Sequence, residues 1–246
     1  MYEEKVKVRY SEMDFGLALK PSAVLNFFQD MASENAENLG FGYSYISKKN
    51  LAWFLLKYRI EFLKYPVGLY NLTLKTQPRG YNKIFAFRDF EIWNDSECLA
   101  RAASSWSLVD TLSGKPVSVA DALEGNPFMP LYQKQPEDLC FSKIKTPDKI
   151  DIEKTFEIRY DDIDVNHHAN NCNYIIWAFE PFSLDFRSSR CIKNLDIVFK
   201  KEIKFGNKVL SQIEIADDKH TKHVLKNART GDDLCFINVE WNQRQI

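Results

Sequence analysis

Residues 9–30 of this chain return, altered but in unbroken register, as residues 159–180. The superposition pairs Arg9 with Arg159, Tyr10 with Tyr160 and Asp14 with Asp164, and it runs on to Phe27 against Trp177 and Asp30 against Glu180. A chain of 246 residues that repeats itself once favours two similar halves, each long enough to bury its own core. The copies differ where chemistry could reside. Gly16 stands opposite Asn166 and Ala18 opposite His168, so the later copy has polar side chains where the earlier one has almost none.

The periodicity around each copy supports the same division. Glu4–Tyr10 alternates charged and apolar residues as a half-buried strand does, and Pro21 then opens a helical pattern that Gly40 closes. Strands are expected at 51–63, 70–77, 84–93 and 98–109, with Pro66, Gly68, Pro78, Gly80 and Asn94-Asp95 between them. Residues 113–147 hold five of the nine prolines and read as a connector. The order then recurs: a strand at 154–160, a helix at 171–187, and strands at 191–202, 208–215, 222–229 and 234–243. In the second helix Ile175, Ala178, Phe179, Phe182 and Phe186 share a face, while Tyr174, Ile176 and Trp177 leave little polar surface elsewhere. Such a helix needs covering on several sides, which an antiparallel sheet wrapped around it supplies.

Charge and cysteine content exclude several classes. A formal net charge of -1, with no zinc-finger, helix-turn-helix or RNA-recognition signature, argues against nucleic acid as a partner. No apolar run approaches the roughly 20 residues of a membrane helix, and the acidic Met1-Tyr2-Glu3-Glu4 start resembles neither a secretory signal nor a transit peptide. The expectation is a soluble, cytoplasmic chain with no membrane span. Five cysteines without a Cys-x-x-Cys pair fit reduced thiols, and neither a structural metal nor a cofactor is expected. His220-x-x-His223 reads as two solvated surface residues.

The stretch Asp162-Ile163-Asp164-Val165-Asn166-His167-His168-Ala169-Asn170-Asn171, continued by Tyr174-Ile175 and Trp177, resembles the signature of the acyl-ACP thioesterases of plants and bacteria. The likeness covers essentially the whole chain. It implies an α+β double hotdog fold, two tandem repeats each with a long helix wrapped by an antiparallel sheet. The expected division is a first repeat at 1–112, a linker at 113–150 and a second repeat at 151–246. The resemblance also implies that Asp164, Asn166 and His168 are catalytic, with Glu202 as the acidic residue on the following strand. Plant members carry a cysteine directly after that glutamate. Here the position is Ile203, which points away from a thiol nucleophile and toward water. Cys172 and Cys191 are read as small apolar residues.

Thioester hydrolysis needs a nucleophile, a group to take its proton and donors for the developing oxyanion. Glu202 or Asp164 could act as base on a water held by His168 and Asn166, with backbone N–H groups near Asn170 and Asn171 facing the thioester oxygen. Each residue also has a plain structural reading, since Asp and Asn shape turns and cap helices. The expected partner is an acyl carrier protein bearing a fatty acyl thioester, met by Lys200, Lys201, Lys204 and Lys208 or by Lys143, Lys145 and Lys149, with the chain a monomer or homodimer. Family resemblance places the acyl chain in the first repeat, where Phe27, Phe28, Trp53 and Phe54 could line a slot. A hydroxyacyl-thioester hydratase or dehydratase, an acyl-CoA thioesterase and a non-catalytic acyl-thioester-binding module remain open alternatives.

Overall fold

The computed structural model describes residues 1–123 and 125–244, so Glu124 of the expected linker and Gln245 and Ile246 of the expected second repeat lie outside the described residues. The chain divides into two units. One contains residues 1–8, 26–63 and 69–141; the other contains 9–25, 64–68 and 142–246.

The first unit holds the strands β1 (Tyr2–Lys7), β2 (Leu51–Phe62), β3 (Asn71–Asn82), β4 (Phe85–Asn94) and β5 (Glu97–Asp110), all antiparallel to their neighbours in the order β1-β3-β4-β5-β2. Helix α1 (Pro21–Asn38) starts with proline, whose missing N–H costs nothing at the first helical position, and the division between units falls after its fifth residue. Its Phe28 ring stacks on Phe90 at 4.5 Å and lies 6.1 Å from Tyr58, so this side of the sheet is closed by packed aromatics. Two short helices follow in this unit, α2 (Tyr43–Ile46) and α3 (Val119–Leu123).

Two expectations for this unit change. Pro78 and Gly80 do not separate strands. They lie inside β3 at a register shift, where a bulge absorbs residues that regular pairing would reject. The proline-rich connector is also less open than its composition suggests, because Val119, Leu123 and Met129 are buried in a cluster with Phe41, Ile46 and Leu108.

The second unit pairs β6 (Ile152–Glu157), β7 (Arg190–Phe199), β8 (Lys208–Ile215), β9 (His220–Asn227) and β10 (Asp233–Gln243) in the order β7-β10-β9-β8-β6. The long helix expected at 171–187 is two helices, α4 (Asn171–Phe179) and α5 (Leu184–Ser189). Pro181 lies between them, and a proline in a helix interior lacks the needed N–H and clashes with the preceding turn.

That break explains an error in the reading of His223. Ending α4 early leaves its last carbonyls without helical donors, and His223 Nδ1 donates to Ala178 O at 3.0 Å. His223 is fully buried, not solvated, and its ring packs against Phe179 and Phe182. Its Nε2 accepts from Thr221 Oγ1 at 2.8 Å, and Thr221 Oγ1 accepts in turn from Trp241 Nε1 at 2.9 Å. Ala178 O can only accept and Trp241 N–H can only donate, which fixes the tautomer. His220 is exposed, beside Asp217. Among the described residues no helix is long and apolar enough to cross a membrane.

Candidate active site

The signature residues form a tight turn between β6 and α4. Asp162, 1% exposed, anchors its start: one carboxylate oxygen accepts from Arg159 N at 2.8 Å and the other from Arg159 Nη2 at 2.7 Å. Asp164 then closes the loop. Its N–H donates to His168 O at 2.8 Å, and its Oδ1 accepts from the amides of Asn166 at 2.8 Å and His168 at 3.3 Å. Such a carboxylate-to-amide pattern is what an aspartate in a turn supplies. The loop needs a left-handed residue, and His167 takes it at φ 62°. His167 thus serves by conformation, while His168 is partly covered.

Glu202 reaches this turn from the segment after β7, held on both sides. Tyr174 OH, from the first turn of α4, donates to Lys201 O at 3.2 Å, and Ala169 N donates to Ile203 O at 2.9 Å. The result is a contact of 3.1 Å between His168 Nε2 and Glu202 Oε2, with the His168 side chain 21% and the Glu202 side chain 42% exposed. The structure therefore brings together Asp164, Asn166, His168 and Glu202 around one loop. Tyr174 is the contributor that the sequence reading passed over, although it belongs to the quoted signature.

The sequence matches the acyl-ACP thioesterase N-terminal domain over residues 1–125 and the acyl-ACP thioesterase C-terminal domain over residues 145–243. The chain belongs to the acyl-ACP thioesterase family. Curated relatives include acyl-[acyl-carrier-protein] hydrolase FATB3 of Cuphea viscosissima, 21% identical over 99% of this chain and 63% of that protein. Another is oleoyl-acyl carrier protein thioesterase 2 of Arabidopsis thaliana, 21% identical over 99% of this chain and 77% of the relative. This chain thus spans less than two-thirds of the first relative's length. In fold it is similar to an oleoyl thioesterase (putative) from Lactobacillus plantarum, with a TM-score of 0.87 at 20% identity over 100% of this chain and 97% of the other. The α+β double hotdog expected from the signature is the fold of this thioesterase-family chain.

Electrostatics in the family's signature turn shift both partners toward their neutral forms, making Glu202 more basic and His168 less so than usual. Burial pushes the Glu202 carboxyl above its usual range, the Asp164 charge adds to this, and Lys204 opposes it. Burial also pushes His168 down, Lys204 reinforces that, Asp164 opposes it and His167 adds a smaller push down. A neutral His168 with its proton on Nε2 donates to the Glu202 carboxylate. Its other nitrogen, Nδ1, is buried and has no hydrogen-bond partner among the described residues.

Other expected contributors are placed differently. Asn170 is committed to the turn: its N–H donates to Asp162 O at 2.8 Å, and its Oδ1 accepts from Cys172 N at 3.0 Å as the cap of α4. Its backbone N–H is therefore used inside the loop, while Asn171 occupies the first helical position. Phe28, fully buried, is spent on the ring stack with Phe90. Trp53 donates its Nε1 proton to Phe41 O at 3.1 Å, and Phe54, next along β2, projects to the opposite face. Phe27, before Phe28 on α1, is partly exposed. Among the described residues no group of three or more His, Cys, Asp or Glu side chains is placed to hold a metal ion.

Proposed function

We propose that this chain is a thioester hydrolase that releases a free fatty acid from acyl-acyl carrier protein, with Glu202 as general base on the attacking water. The observation that carries this reading is the 3.1 Å contact between His168 Nε2 and Glu202 Oε2 inside the family's signature turn. Asp164 is the weaker candidate for base, because its Oδ1 is already engaged by two turn amides. Its role is to shape the loop and to place negative charge beside Glu202.

In the proposed step, water oxygen attacks the thioester carbonyl carbon while one water proton passes to the Glu202 carboxylate. The tetrahedral intermediate then collapses, the carbon–sulfur bond breaks, and the proton on Glu202 goes to the leaving thiolate. His168 orients the Glu202 carboxylate through its Nε2 proton. The Asn166 side-chain amide and the Asn171 N–H are the donors assigned to the oxyanion. No thiol enters: Ile203 is buried at the position after the acid and uses its carbonyl to hold Ala169.

The carrier-protein assignment is supported by the relatives' names and by the lysines around Glu202. Lys201 is paired with Asp232 and Lys208 with Glu157, each within 2.8 Å, so Lys200 and Lys204 carry most of the available positive charge. Acyl-carrier-protein and acyl-CoA substrates of several lengths, assayed for free thiol, free fatty acid and hydration, test the whole reading. Hydrolysis of the carrier-bound substrate should dominate and its kcat/KM should fall as salt rises. Glu202→Gln should lower kcat by about 10²- to 10⁴-fold, the usual range for a general base. Hydration without thiol release, binding without turnover, or a Glu202→Gln enzyme of normal kcat would each defeat it.

A further inference from the structure

The first copy of the repeat makes the same loop as the second, bond for bond. Asp14 N donates to Ala18 O at 2.8 Å, Asp14 Oδ1 accepts from Gly16 N at 2.8 Å and Ala18 N at 3.0 Å, and Leu17 takes the left-handed position at φ 61°. Leu19 N donates to Pro66 O at 3.0 Å, as Ala169 N does to Ile203 O at 2.9 Å. Pro66 therefore stands for Ile203 and Tyr65 for Glu202, just as Ala18 stands for His168 and Gly16 for Asn166.

The side chains missing from this loop are replaced by one that arrives from the far end of the sequence. Arg244 Nη1 donates to Asp14 Oδ2 at 2.9 Å, and Nη2 donates both to Asp14 Oδ1 at 3.0 Å and to Gly16 O at 2.8 Å. The Arg244 side chain is 7% exposed and Asp14 29%. Burial alone would raise the Asp14 carboxyl, but Arg244 and the amides of Ala18 and Gly16 bring it below its usual value. Arg244 N also donates to Ser189 O at 2.8 Å, which fixes the backbone behind the fork.

Gly16 is the residue that makes room. A Cβ there would lie 2.6 Å from Arg244 Nη2 and 2.9 Å from its Cζ, well inside contact distance. The second loop carries Asn166 at the matching position. An asparagine on the loop and a guanidinium in its cradle are thus sterically exclusive.

We infer that the first loop is a guanidinium-binding site, filled in cis by Arg244 and open to that group only because residue 16 is glycine. The planar fork suits the carboxylate-plus-carbonyl cradle, where an ammonium would satisfy it poorly. The site is independent of the hydrolase assignment, because nothing in its recognition involves a thioester.

Chemical rescue in the full chain tests this. Arg244→Ala should lower Tm by about 5–10 °C, in keeping with the loss of a largely buried charged pair. Methylguanidinium at millimolar concentration should restore much of that loss, relative to its effect on the unaltered protein, and methylammonium should not. Gly16→Asn should show a comparable loss by evicting Arg244. The double variant should lose little more than either single one and should not respond to methylguanidinium. Should Arg244→Ala not fold, Arg244→Gln carries the same comparison. An unchanged Tm, equal rescue by methylammonium, additive losses, or rescue of the double variant would each overturn the inference.

Discussion

Lowering the pH from 8 to 5 should remove about 2 kcal/mol of stability from this protein through His223 alone. Burial pushes its pKa down from 6.5 to about 3, against a smaller opposing effect of the bond to Ala178 O. The cause is visible in its surroundings: Phe179 and Phe182 rings lie 5.4 and 5.6 Å away, and the Nε2 lone pair already accepts from Thr221. Protonating Nε2 would place a positive charge in an apolar pocket and force the Thr221 hydroxyl to turn its proton away. The native state therefore refuses the proton while the unfolded chain, titrating near 6.5, accepts it. A depressed native pKa means stability that is full above 6.5 and lost as pH falls toward 3. Between pH 8 and pH 5 the unfolded state gains 1.36 kcal/mol for each pH unit below its pKa, which over about one and a half units gives about 2 kcal/mol. The assay is urea denaturation of the unaltered protein and of His223→Gln, which can still donate to Ala178 O and accept from Thr221. Other titrating groups are common to both and cancel in the difference. The unaltered protein should lose about 2 kcal/mol more than the variant on going to pH 5. Equal losses would refute a buried neutral His223.

Three further outcomes follow from the site and from the bulge in β3. With Glu202 as base, kcat/KM should fall as pH drops through a midpoint above the ordinary glutamate value of 4.5, because the raised Glu202 must be ionised to accept a proton. His168→Asn should lower kcat yet leave an acid limb in the profile, and a limb that vanishes in that variant would assign it to the imidazole instead. Gly80→Ala should destabilise the chain by about 1–3 kcal/mol, since Gly80 sits at φ +100° and the added Cβ would lie 2.3 Å from Pro130 O; a thermal melt unchanged from the parent would contradict that close approach.

The loop that carries the site was legible in the sequence because its determinants are local. The carboxylate of Asp164 and the side-chain oxygen of Asn170 act on amides within four positions of themselves, and the order of polar types in such a loop reflects its hydrogen bonds directly. The helix of the second repeat was legible in its start but not in its end. A continuous apolar face at Ile175, Phe179, Phe182 and Phe186 outweighed Pro181 in the reading, although the proline decides the backbone. The aromatic residues expected at an acyl slot show a different limit of the sequence. Aromatic identity says that a side chain will be buried, but not against which neighbour, and Phe28 is used up by Phe90.

The sequence by itself determined that this chain is a duplicated α+β protein, that one copy carries the Asn and His absent from the other, and that this turn resembles the acyl-ACP thioesterase signature. It could do so because periodicity and motif spacing are properties of neighbouring residues. Tertiary structure alone decided that Glu202 touches His168, that His223 is buried under a helix end cut short by Pro181, and that Arg244 fills the loop of Asp14, 230 positions away. Contacts of that kind depend on which strand ends and loops packing brings together. A charge or an imidazole looks the same in the sequence whether it ends in water or in a core.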